Sequence, residues 1–259
     1  MNVWFNTWGL AVLLNTVLLA IAWVVPKKLL TPAGYLHAWG LGVLIWGALG
    51  WRGYAVVMVY FIAGSAATRI GKAQKEAAGI AEKRSGQRGP ENVWGSALVG
   101  ALCALGRIAL PFSGASEETV LLGSALLGIA YVASFSTKLS DTCASEIGKA
   151  YGKTTYLITT FKAVPAGTEG AVSLEGTMAG IAASAAIAAV GLLVGLISPM
   201  EVWICVIAAF VATNIESLIG ATLQERFDWL TNELVNVANT LIGAGVALAL
   251  GWSFIVAGL

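Results

Sequence analysis

Between Lys138 and Thr177 an otherwise apolar chain gathers acids, lysines, hydroxyls and turn glycines in the run KLSDTCASEIGKAYGKTTYLITTFKAVPAGTEGAVSLEGT. Carboxylates beside lysines and glycine turns are the groups that hold a divalent cation and neutralise phosphate. Asp141 and Glu146 are the candidate metal ligands. Ser140 or Asp141 is expected to cap a helix reading TCASEIGKAY, which sets Asp141 near backbone N–H groups that also favour phosphate. Positions five apart lie on different faces of a continuous helix, so the two acids converge on one metal only if Asp141 stands at or before the helix start. Mg²⁺ takes one or two carboxylates plus substrate phosphates and waters, so Asp141 alone suffices. The plainer alternative makes Asp141 a cap and pairs Glu146 with Lys149 or Lys138.

Further along, Thr159, Thr160 and Lys162 precede a turn marked by Pro165, Gly167, Thr168 and Gly170, where glycine lets backbone N–H groups approach a phosphate. Gly148 to Thr154 looks like a Walker A loop, but its glycines are one residue too close and no apolar strand precedes them, so it is set aside. A second polar region from Thr68 to Ser96 is either a solvated basic loop or a rim for a nucleotide or lipid head; Arg84 and Arg88 would offer bidentate donors, with Asn92 at the membrane edge. Asn214 and Glu216 fall inside an apolar stretch, and Asn232, Asn236 and Asn239 follow helical spacing beside Glu233. Ionisable groups at membrane depth are paired or functional. His37 has no Cys or His partners and reads as packing, as do the isolated Cys103, Cys143 and Cys205.

The elements that must position these residues follow from composition: 58% hydrophobic and 11% charged residues, with a mean hydropathy of +0.80, suit a chain facing hydrocarbon. The chain is expected to be all-α, a polytopic helical bundle forming one integral membrane domain over 1–259. About eight spans fit, at 6–25, 33–51, 54–70, 93–111, 119–137, 178–198, 202–222 and 235–256. Gly176/Gly180 and Gly191/Gly195 give small-xxx-small spacings suited to close helix packing. The basic residues fall in the polar loops 69–92, 138–177 and 223–234 and at 26–32, which makes that side cytoplasmic and puts both termini on the other; only Arg52 and Arg107 lie across. The first apolar segment reads as a retained helix, and a net charge of +1 gives no case for nucleic acid.

The segments SDTCASEIG at 140–148, TTFKAVPAGTEGAVSLEGT at 159–177, KEAAGIAEKRSGQRGPENVWGS at 75–96 and IESLIGATLQ at 215–224 resemble motifs of an integral-membrane family. That family contains transmembrane protein 19 and the plant and cyanobacterial phytyl-phosphate kinases of vitamin E (tocopherol) biosynthesis. Cys143 stands where tryptophan is common, and Gly95-Ser96 where relatives outside the photosynthetic branch have Asn-Gly. The resemblance implies a kinase in a cyanobacterial or other bacterial membrane, with its site facing the cytoplasm. It would transfer phosphate from a nucleoside triphosphate, CTP, to phytyl or a related isoprenyl monophosphate, with Mg²⁺ as cofactor. Its partners would be the nucleotide, the isoprenyl lipid and membrane lipids, with a homodimer allowed and no nucleic acid. In that reading Asp141 and Glu146 bind metal; Lys138, Lys149 and Lys162 contact phosphates; the Gly167 to Gly170 turn cradles them; and Glu216, Asn214, Asn232 and Asn236 complete a polar floor. The competing readings are a transporter using the intramembrane Glu216 and Asn214, and a prenol kinase acting on the free alcohol.

Overall fold

The computed structural model describes residues 3–26, 28–81, 86–224 and 226–256. Helices dominate it: α1 (Val3–Val24), α2 (Pro32–Ala67), the short α3 (Lys72–Ala77), α4 (Pro90–Ala109), α5 (Glu117–Tyr151), α6 (Leu174–Leu193), α7 (Pro199–Ile219) and α8 (Asn232–Val256). A π-helical turn, Gly220–Gln224, extends α7. Seven of the helices are long and apolar enough to cross a membrane.

α2 is not one rod. Gly50 sits at φ 63, ψ −159, a left-handed φ that glycine tolerates without a Cβ penalty, and it breaks the 36-residue helix. A Cβ at Gly34 would lie 2.5 Å from the Arg88 carbonyl oxygen and one at Gly64 2.9 Å from the Arg88 guanidinium. A straight helix would hold those two glycines about 45 Å apart. The arms 32–49 and 51–67 therefore fold back as a hairpin, so that the seven long helices among the described residues offer eight segments of spanning length, the number the apolar pattern predicts.

The ends of these helices follow local chemistry. Thr31 caps α2 by accepting from the Gly34 N–H, Ser116 caps α5 through Thr119, and Ser173 caps α6 through Gly176. Ser198 and Glu201 form a capping box at α7, followed by Pro199 in its first turn.

α5 is the hub. It packs on α2, α4, α6, α7 and α8, and from Gly128 to Thr142 every residue is buried. Glycine makes this approach close on α6: a Cβ at Gly176 would fall 2.5 Å from the Ala144 carbonyl oxygen, and one at Gly180 3.1 Å from that of Ser140. Of the second glycine pair, Gly191 meets Val132, whereas Gly195 (φ 71) turns the chain out of α6. α1 lies at the edge on α2, joined by a Tyr54 hydroxyl donating to Asn15 Oδ1 at 2.9 Å and a Trp39 indole donating to Thr16 at 3.0 Å.

Two expectations need correction. The fifth span does not stop at 137 but continues to Tyr151, so Lys138, Asp141 and Glu146 stand in the interior of α5, not in a loop, and Asp141 is no N-cap. The remainder of the block contains a small antiparallel sheet in the order β2-β1-β3, with β1 Thr155–Leu157 between β2 Ala163–Val164 and β3 Ala171–Val172. The Walker-like stretch is the last turn of α5 and its Gly152 cap, with no strand ahead of it.

Candidate active site

A cavity of about 840 Å³ opens at the end of the bundle where the polar loops gather. α5 forms its back wall and carries the charge. Lys138, 6% exposed, is ion-paired with Asp141 one turn on and donates to Asn236 Oδ1 of α8 at 2.7 Å. Glu216 of α7 brings its carboxyl within hydrogen-bonding reach of Asp141, with Lys138 and Glu169 nearby. The buried Asp141 and the half-buried Glu216 thus lie about one lysine. A charge at the centre of a spanning helix costs about 2.5–3.5 kcal/mol on insertion scales, which makes such a group dependent on partners.

Glu146 takes a different partner from the ones expected. Its carboxylate is paired with Lys75 of α3, 2% exposed, whose ammonium also donates to the Thr68 carbonyl at 2.9 Å. Glu146 still lines the cavity, but the acid placed against Asp141 is Glu216. The carboxylate beside Asp141 is therefore Glu216 of α7 rather than Glu146, which is engaged by Lys75. Among the described residues no cluster of three or more His, Cys, Asp or Glu is built to hold a metal by itself. Two carboxylates fit Mg²⁺, which completes its shell with phosphates and waters.

The rim comes from the loops. Arg88 is strapped in place by backbone hydrogen bonds to Leu29 and Thr31, and its guanidinium donates to the Tyr60 hydroxyl at 3.0 Å. Asn92 accepts from the Gly89 N–H at the start of α4 and also lines the cavity. Gly167 (φ 89) packs on Ile80, and Gly170 (φ 72) presses on the end of α7, where a Cβ would lie 2.5 Å from the Ser217 carbonyl oxygen. The turn 165–170 is thereby pinned between the α3 segment and α7.

Of the residues singled out from the sequence, Lys138, Asp141, Glu146, Lys149, Gly167, Thr168, Gly170, Arg88, Asn92, Asn214, Glu216, Asn232 and Asn236 share this one cavity. Thr159, Thr160 and Lys162 do not: they are exposed in the β1–β2 connection. Arg84 lies outside the described residues. Sequence reasoning missed Lys75, Tyr60, Glu169, Thr213 and Gln224. A tyrosine within an apolar span was the available signal for Tyr60; Lys75 looked like one more basic loop residue.

Toward the membrane the cavity reaches Thr177 and Ile181 of α6 and Phe210, Thr213 and Asn214 of α7. Phe210 is 43% exposed and lines the cavity beside Ile181, so α6 and α7 give this end of it an apolar wall. The Thr213 hydroxyl is buried without a partner.

The chain matches the family described as Integral membrane protein DUF92 over residues 15–244. It is 63% identical to the uncharacterized membrane protein sll0875 of Synechocystis sp., over 94% of this chain and 91% of the relative. It is 47% identical to Protein VTE6, chloroplastic, of Arabidopsis thaliana, over 93% of this chain and 71% of that one. A more distant relative, the uncharacterized membrane protein MJ0933 of Methanocaldococcus jannaschii, is 30% identical over 78% of each. No solved structure matches.

Proposed function

We propose, from the premise that this chain belongs to the DUF92 integral-membrane family, that it is a membrane kinase acting on prenyl phosphates. The donor is a nucleoside triphosphate, CTP, and the acceptor is phytyl or a related prenyl monophosphate, converted to the diphosphate for tocopherol and prenyl-lipid synthesis. The similarity to VTE6 and the shared motifs support this reading. The observation that carries it is one cavity lined by Lys138, Lys149, Arg88, Asp141 and Glu216 where the polar loops gather, and by Ile181 and Phe210 of the spanning helices α6 and α7.

Phosphoryl transfer needs positioning and charge neutralisation more than covalent chemistry. Asp141 and Glu216 would hold Mg²⁺, which when bound neutralises the donor phosphates. Lys138 fixes Asp141, while Lys149 and Arg88 bring cations to the phosphates at the rim. The pinned 165–170 turn closes the site on the loop side. The accepting phosphate oxygen is already anionic, so no general base is required. The prenyl tail leaves between α6 and α7 past Ile181 and Phe210. The clustering of basic loops at this end supports a cytoplasmic site. Residues 128–137 of α5 are buried on every side, which favours a closed-bottomed enzyme site over a transport path.

The test is purified protein with Mg²⁺, each nucleoside triphosphate and prenyl phosphates of increasing length, with diphosphate quantified. CTP with phytyl phosphate should give product, and isopentenyl phosphate should be used far more poorly, since each buried CH₂ is worth about 0.8 kcal/mol. Equal use of short and long tails would remove the α6–α7 wall from the mechanism. No product with any donor, together with substrate flux in proteoliposomes, would make the chain a transporter.

A further inference from the structure

Arg52 and Arg107 are the two basic residues that the charge asymmetry leaves on the far side, where arginine is disfavoured. Distant in sequence, they meet in a second cavity of about 280 Å³. It lies at the other end of the bundle: α4 carries Asn92 to the first cavity and Arg107 to the second, about 22 Å further along its axis. Four elements build it. The region of the α2 break supplies Arg52, the last turn of α4 Arg107, α5 Ser124, and the turn after α6 Gly195 and Leu196. Gly128 and Gly195 flank the guanidinium groups, with Cβ positions 3.7 Å from Arg107 Nη1 and 4.0 Å from Arg52 Nη1.

No acid lines this cavity, and among the described residues neither arginine has an ion pair. The acids of this end are committed elsewhere: Glu117 and Glu118 sit exposed in the first turn of α5, and Glu201 accepts from the Ser198 N–H at 2.6 Å in the capping box of α7. The two guanidinium charges repel one another across the hole. We propose that they form an anion site for a phosphate oxyanion, bound by the planar arginine forks with Ser124 as a hydroxyl donor. Its volume falls just below the roughly 300–1,000 Å³ of sites that enclose a whole small-molecule ligand, which suits a single head group. The phosphate comes either from an anionic lipid of the leaflet opposite the kinase cavity or from a free anion. The site stands apart from the prenyl-phosphate reading and does not depend on it.

The experiment uses the full chain, delipidated in detergent. Native mass spectrometry measures retention of added phosphatidylglycerol against phosphatidylcholine, and thermal unfolding measures protection by inorganic phosphate. The wild type should retain phosphatidylglycerol in preference, and Arg52→Gln/Arg107→Gln should lose that preference at least tenfold, whereas Lys149→Gln at the first cavity should keep it. Arg52→Lys and Arg107→Lys keep the charge but lose the fork; they should weaken retention singly and serve if the double glutamine variant does not fold. Protection by inorganic phosphate without lipid preference, abolished in the same variants, would identify a free anion as the ligand. Equal retention of phosphatidylglycerol by wild type and all arginine variants, or no response to either probe, would overturn the site.

Discussion

Removing Lys138 should damage this protein more than removing its ion-pair partner. Lys138 and Asp141 are 6% and 7% exposed, and Glu216 stands within hydrogen-bonding reach of Asp141 on the opposite helix. Lys138→Met leaves both carboxyls facing each other without their shared cation and strips the donor from Asn236. Breaking a buried pair from one side costs about 3–5 kcal/mol. Asp141→Asn, by contrast, leaves the ammonium donating to Asn236 with the Glu216 carboxyl nearby, so its cost should stay near about 1.5–3 kcal/mol, that of a lost hydrogen bond to a charged group. For a chain of this size each kcal/mol shifts the midpoint by roughly 2–4 °C. The lysine variant should therefore unfold roughly 6–20 °C lower and the asparagine variant roughly 3–12 °C lower. Ten tryptophans give an intrinsic fluorescence signal for thermal unfolding in detergent with a chelator present. The double variant should recover part of the loss, with a coupling above about 1 kcal/mol. Equal losses for the two single variants, or strict additivity in the double, would show that these groups are not one cluster and would refute the reasoning.

Glu216→Gln and Asp141→Asn should each abolish Mg²⁺-dependent nucleotide binding, whereas Glu146→Gln should keep it and instead loosen α3; equilibrium nucleotide binding with and without Mg²⁺ separates them. Gly176→Leu drives a side chain into the Ala144 carbonyl, and overpacking of this kind should lower stability by about 1–3 kcal/mol, read as reduced recovery and midpoint in detergent. Gly50→Ala meets no neighbouring atom, so its loss should be the backbone penalty alone, about 1–3 kcal/mol. In a cysteine-free variant, a single cysteine at Ser116 should react with an impermeant thiol reagent in intact cells and one at Ala166 should not; the reverse pattern would invert the orientation.

Apolar runs of spanning length made the eight spanning segments legible, including the two arms of α2, because hydrocarbon thickness imposes a length that composition must meet. The gathering of the polar block around one cavity was legible for a related reason: charge at membrane depth is rare and must find partners. What misled was reading polarity as exposure. Residues 138–151 carry too many polar groups to look like a span, yet they stay helical because Lys138 pairs within the helix and Glu146 finds Lys75. That second pair joins segments far apart in sequence, and no local spacing announces it. Thr159, Thr160 and Lys162 have the right chemistry for phosphate, but the β1–β2 pairing carries them out to an exposed connection. Asp141 and Glu216 are likewise matched only through tertiary packing.

The pairing pattern of α5 also bears on how the chain enters the bilayer during synthesis. α6, α7 and α8 emerge after α5, so they cannot shield its charges as it leaves the ribosome. They are not needed for that: the Lys138–Asp141 pair closes within the helix, and Lys75, which meets Glu146, has already been made. α5 can partition with these charges already neutralised, and the later helices wrap it rather than rescue it. Glu216 reaches the site later, with α7, when the ammonium nearest to it is already paired with an aspartate, and Asn236 completes the set once α8 docks.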